Sequence, residues 1–140
     1  MKVKQSSIVK KQVKLKQKLA GSKSAASRLM RSTGVLKKNP STETAHVEVM
    51  NRSDADITAT ILVFSWDSDS PVMIGETSVI VPVGSLRSFS TSLIDVFEHY
   101  EVVAILSSAA NVIVNHFGIA DNVPQLGNIV LDRDFISVDI

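Results

Sequence analysis

No cysteine occurs anywhere in the chain. Disulfides, thiolate metal centres and cysteine nucleophiles are thereby excluded, and stability has to come from packing or from assembly. Acidic residues are absent from the first forty positions, which hold twelve of the fifteen Lys and Arg residues. Aromatic residues are absent there as well. Basic residues are in turn scarce in the remaining hundred positions, which hold three against fourteen Asp and Glu. The formal total of +1 therefore hides a basic arm, residues 1–40, and an acidic body, residues 41–140. Such an arm calls for an acidic partner: nucleic acid, an anionic surface, or the body of another copy.

Targeting signals are missing too. A secretory signal needs an apolar run of about 7–15 residues near its start. Here Ile8 and Val9 are followed at once by Lys10 and Lys11. Transit peptides favour Arg, whereas the arm has ten Lys and two Arg. The expectation is a chain without a signal peptide, synthesised in the cytoplasm. The uncharged run 102–120 has the length of a membrane span but contains Ser107, Ser108, Asn111, Asn115 and His116. Two strands joined by a turn at 107–111 account for it better, so no transmembrane segment is expected.

Catalytic signatures are equally scarce. There is no Gly-x-Ser-x-Gly elbow, phosphate-binding loop or dinucleotide fingerprint. His46, His99 and His116 are far apart and form no metal-ligand pair. Glu98-His99-Tyr100-Glu101 flanks a histidine with carboxylates, and reads as a solvated patch before a general base. Asp67-Ser68-Asp69 resembles the start of a calcium loop, without its later Gly and Glu. Asp132-Arg133-Asp134 reads as a turn with an internal ion pair. The chain is expected to be no enzyme and to need no metal or cofactor.

What is present is strand pattern. In the arm, Val13-Lys14-Leu15-Lys16-Gln17-Lys18-Leu19 alternates apolar and polar, the period of a strand with one buried face. Residues 20–27 read as a linker of small residues, Arg28-Leu29-Met30-Arg31 as a short turn of helix, and 34–40 as loosely specified chain. In the body, 44–50 alternates with Ala45, Val47 and Val49 on one face. Residues 57–66 form a long strand with Ile57, Ala59, Ile61 and Val63 on one face and Thr58, Thr60, Leu62, Phe64 and Trp66 on the other. The pattern predicts a hairpin of 72–74 with 78–83 around Gly75-Glu76-Thr77, and strands at 86–93, 100–106 and 112–119. It predicts a loop over 121–128 and a last hairpin of 129–131 with 135–138. The one helical candidate in the body is 92–99. This is an all-β chain: a single antiparallel β-sandwich, jelly-roll or immunoglobulin-like, preceded by an extended basic arm.

An open sandwich has edges, and edges accept foreign strands. The arm offers one, with Val9, Val13, Leu15 and Leu19 to insert and Lys14, Lys16 and Lys18 to meet acidic groups. The expected partner is a second copy, in a head-to-tail or helical homo-oligomer. The alternative is a capsid-like or nucleoprotein subunit whose arm neutralises nucleic acid. Against it stand the acidic body and the lack of aromatic side chains in the arm for base stacking. An anionic surface such as a spore coat is a third partner.

Three stretches resemble the subunits of bacterial endospore appendages. They are Val47-Glu48-Val49-Met50-Asn51-Arg52-Ser53, Thr58-Ala59-Thr60-Ile61, and Val81-Pro82-Val83-Gly84-Ser85 leading into Ser88-Phe89-Ser90. The resemblance covers about half of the chain and implies a jelly-roll subunit whose N-terminal connector reaches into a neighbour to build a fibre. It also implies assembly inside the mother cell and a final place on the spore or cell surface. Better-known members cross-link through cysteines in their connectors; this chain has none.

Overall fold

The computed structural model describes residues 29–139. Val9, Val13, Lys14, Leu15, Lys16, Lys18 and Leu19 lie outside the described residues. Ten strands follow in chain order: β1 (Leu29–Ser32), β2 (Leu36–Lys37), β3 (Thr44–Asn51), β4 (Ile57–Ser65), β5 (Val72–Val81), β6 (Leu86–Ser92), β7 (His99–Leu106), β8 (Val112–Ala120), β9 (Val123–Val130) and β10 (Ile136–Asp139). A 3-10 turn, Asp132–Asp134, precedes β10.

The strands form two antiparallel sheets. The first runs β10-β1-β7-β4-β5, with β2 also on β7; the second runs β6-β3-β8-β9. The pairs β1 with β10, β3 with β8 and β4 with β7 are nested. Nesting of that kind is a long hairpin folded over on itself, the jelly-roll layout of a β-sandwich. Between the sheets, Ala45, Val47 and Val49 of β3 meet Ile57, Ala59, Ile61 and Val63 of β4, with Tyr100, Val102, Ala104 and Leu106 of β7 and Val112 and Val114 of β8. Each large apolar side chain buried there contributes roughly 1.5–3 kcal/mol. The alternation read from 44–50 and 57–66 is the alternation that the sheets bury.

Several local expectations are corrected. Leu29 to Arg31 make no helical turn; they are strand β1, between β7 and β10. Residues 29–40, grouped with the arm by charge, thus supply two strands to the first sheet. What holds β1 is remote: Arg31 donates to the carbonyls of Val112 and Ala109 and to Asp132 Oδ1, the last at 2.5 Å. Gly75 does not turn the chain, and β5 runs unbroken from Val72 to Val81 against β4, with a bulge opposite Val63 and Phe64. Gly75 serves close packing instead, since a Cβ there would meet Thr91 Cγ2 and Oγ1 at 2.8 Å. Residues 92–99 form no helix; they end β6, cross as bends and begin β7.

The loop expected at 121–128 is mostly strand. Only Asp121 and Asn122 turn, with φ of 50° and 64°, the paired positive angles of a type I′ hairpin. Pro124 is tolerated because β9 is an edge strand of the second sheet. The last hairpin does not form either. Ile129 and Val130 end β9 in one sheet, while β10 pairs with β1 in the other, and the 3-10 turn crosses between them.

Candidate functional site

The chemistry-bearing residues singled out above are placed apart. His116 on β8 is fully buried, with Nε2 2.7 Å from the Tyr100 hydroxyl and Nδ1 3.1 Å from the His46 carbonyl oxygen. A carbonyl only accepts, so Nδ1 carries the proton and donates; Nε2 then accepts from Tyr100. Burial lowers the His116 pKa to about 4, and burial pushes the Tyr100 hydroxyl up. Both groups are neutral, satisfied and closed to substrate. His46 points out of the second sheet, 3.3 Å from Ser90 Oγ and 3.6 Å from Glu48 Oε2. His99 lies 3.9 Å from Glu98 at the start of β7. Among the described residues, no three His, Asp or Glu side chains stand together in a way that could hold a metal ion.

The two acidic turns have structural work. Asp67 accepts the backbone N–H groups of Phe97, Glu98 and His99 at 2.7, 2.8 and 2.9 Å. Partial burial opposes its charge, but those three donors and nearby His99 outweigh it and hold the carboxyl below its usual range. Its oxygens are committed to the backbone, and the turn is a clasp rather than a calcium loop. Asp132 accepts from Arg31 and from the Val114 N–H at 2.8 Å. The expected ion pair inside that turn runs from Arg133 to Asp134 at 3.8 Å, exposed on both sides.

The Asp67 clasp is testable. Phe97 is 81% exposed on the connection it holds. Asp67→Ala should leave the fold in place but release this connection by about 1 kcal/mol, the scale of one net hydrogen bond. Chymotrypsin cleavage after Phe97 should then run about five times faster, as that energy dictates. Unchanged cleavage would mean that the clasp holds nothing.

Surfaces remain, and two stand out. The first is the edge strand β5, ten residues without an internal proline and with Glu76 as its one charged residue. Among the described residues it pairs on one side only, with β4. Val72, Ile74 and Ile80 on it are exposed. The opposite edge of the other sheet, β9, is guarded by Pro124. The second surface is the outer face of the first sheet. Leu62, Phe64, Val103 and Ile105 form an apolar cluster there, flanked by Met30, Trp66 and Met73. At its rim the Glu101 carboxylate accepts from Trp66 Nε1 at 3.0 Å and from Ser32 Oγ at 2.5 Å. One strip of this cluster is legible in the sequence, as the second face of the strand 57–66; Val103 and Ile105 join it only through the register of β7 on β4.

Fold and surfaces together define a β-sandwich protein of jelly-roll layout. No known protein family matches the chain, and no curated protein matches it. Solved structures that are similar at low identity include the following three. The Anabaena sensory rhodopsin transducer is 19% identical over 64% of this chain and 94% of its own, with a TM-score of 0.44. A Thermotoga maritima protein, 1070, is 13% identical over 81% of this chain and 90% of its own, with a TM-score of 0.38. A chain of the Broad Bean Stain Virus structure is 16% identical over 80% of this chain and 60% of its own, with a TM-score of 0.36.

Proposed function

We propose that this protein is a non-enzymatic structural subunit that assembles with copies of itself, its N-terminal arm inserting into a neighbour to build a fibre. The observation that carries the reading is β5: a long, proline-free edge with exposed Val and Ile side chains. An edge of that kind is a template for a foreign strand, and residues 13–19 have the alternation of one. The charges agree, since the acidic body would draw in the basic arm of another copy. A contact that repeats without closing on itself gives a filament. A spore-surface fibre is the particular case that the sequence resemblance supports.

Two forces can hold the arm, and they are separable. Burying one Val or Leu is worth roughly 1.5–3 kcal/mol and is indifferent to salt. An exposed ion pair is worth about 0–1 kcal/mol and is screened by salt. Assemblies of nuclease-treated protein should therefore persist at high salt, and Leu15→Asp or Leu19→Asp should reduce the sedimenting fraction more than Lys14→Gln or Lys16→Gln. Assemblies that form only with nucleic acid, and dissolve steeply with salt, would transfer the arm to the nucleoprotein reading.

A further inference from the structure

The outer face of the first sheet poses a question of cover. Leu62, Phe64, Val103 and Ile105 are only 3%, 2%, 6% and 3% exposed. The second sheet packs on the opposite face, against Ile57, Ala59, Ile61 and Val63. Every described element belongs to one of the two sheets or to the 3-10 turn between them. None is left to form a third layer over this cluster. Large apolar side chains on an uncovered sheet face would stand open to water.

The chain itself supplies a candidate. The described residues begin at Leu29, in β1, next to β7 in this same sheet, and Met30 already packs on the cluster. Upstream lie 28 residues with nine Lys and Arg and no acidic residue. From β1 across β7 and β4 to β5 is about 15 Å at the spacing of neighbouring strands. Roughly five extended residues span it, so the upstream chain has length to spare for a linker and a return. Charge fits as well. Register puts Glu101 opposite Phe64 and Glu76 opposite Leu62, so both carboxylates lie on this face.

We propose that this face is the seat of the chain's own N-terminal segment. Val13, Leu15 and Leu19 lie against Leu62, Phe64, Val103 and Ile105, and Lys14, Lys16 and Lys18 stay in solvent near Glu76 and Glu101. The seat is a property of the single subunit and does not depend on assembly. Where copies do assemble through the β5 edge, the segment has to leave this seat for the neighbour, so seat and fibre compete for the same residues.

Trp66, the one tryptophan of the chain, sits against the cluster and reports on the cover. In full-length protein its acrylamide quenching should be low and independent of protein concentration. The double variant Leu15→Asp with Leu19→Asp should raise the quenching constant about threefold with an unchanged far-ultraviolet circular dichroism spectrum. Since the chain is free of cysteine, a second measurement is clean. Leu15→Cys with Ser78→Cys, bridged by a short bismaleimide, should give a link within one chain, and Leu15→Cys with Ser88→Cys on the second sheet should give none. Unchanged quenching in the double variant overturns the seat, and so does equal linking to both positions. Links found only between chains overturn own-copy occupancy. Sedimentation of the same samples separates this from the assembly reading: shielded but always monomeric protein keeps the seat and sinks the fibre, while assemblies with indifferent Trp66 do the reverse.

Discussion

Gly118→Ala should destabilise the protein by about 3 kcal/mol, the upper part of the range for overpacked cores. Gly118 lies in β8, paired with Ala45 of β3. On its other side the pairing with β9 slips between Phe117 and Ile119. A glycine in a strand often marks such a bulge or a close approach, and here it marks both. A Cβ at this position would sit 2.6 Å from Asn128 Cβ, 2.9 Å from Thr42 Cγ2 and 3.1 Å from the Tyr100 hydroxyl oxygen. None of these neighbours can step aside cheaply. Asn128 is fully buried and accepts from the Asn39 N–H at 2.7 Å and Thr42 Oγ1 at 2.8 Å, while donating to the Lys37 carbonyl at 2.9 Å. Moving it opens the joint between β9 and the chain around β2, and leaves buried polar groups without partners, at about 1–3 kcal/mol each. Tyr100 is tied to His116. Gly127→Ala provides the comparison. Its Cβ would meet nothing within 4 Å, but its φ of 81° makes any side chain strained. A cost of about 1–2 kcal/mol is expected there. Urea unfolding of both variants checks the order. A Gly118→Ala protein as stable as Gly127→Ala would mean that β8 and β9 leave room for a side chain between them.

Asn128 also illustrates which parts of this fold a reader could see in the sequence. Where burial follows from the chain's own period, the reading works: β3 buries every second residue, and β4 shows two apolar faces because both are used. The turn between β7 and β8 was visible because polar residues interrupt an apolar run. Where a remote side chain decides, local pattern misleads. Gly75 looks like a turn and is a fit to Thr91. The connection 93–98 looks faintly helical and is a bend pinned by Asp67. Pro124 and Gly127 suggest a loop, and Asp121-Asn122 alone makes it. Leu29 to Ser32 carry too little pattern to announce a strand, and Arg31 finds its partners about eighty and one hundred residues away. The candidate surfaces follow the same rule. An alternating arm can be read from seven residues, whereas the face offered to it exists only once β1, β7, β4 and β5 are in register.

Acidification from pH 7 to pH 4 should remove about 3 kcal/mol of stability through His116 alone. In the unfolded chain this histidine titrates near 6.5; in the fold, burial holds it near 4, against the upward push of its bond to the His46 carbonyl. Below pH 6.5 the unfolded state therefore binds a proton that the native state refuses. Stability falls wherever the unfolded state holds more protons and the pH drops, at up to 1.4 kcal/mol per pH unit for a single group. The loss begins near pH 6.5, is steepest between about 6 and 4.5, and levels off below about 4, where the native His116 is protonated as well. Tyr100 adds nothing here, because burial moves its titration upward and away from this window. Asp67 acts lower down. Its carboxyl is depressed below 3.8, so its contribution is complete above that value and disappears only as the pH falls further. His116→Gln isolates the effect. A glutamine can donate to the His46 carbonyl and accept from Tyr100, but it does not titrate. At pH 7 the variant should be less stable by about 1–2 kcal/mol for the imperfect fit, and its urea midpoint should stay nearly level between pH 6.5 and 4. The wild-type midpoint should fall through that range until the two curves cross. A wild-type curve as level as that of the variant would place the His116 ring in contact with water and undo the assignment of the Tyr100 pair to the dry core.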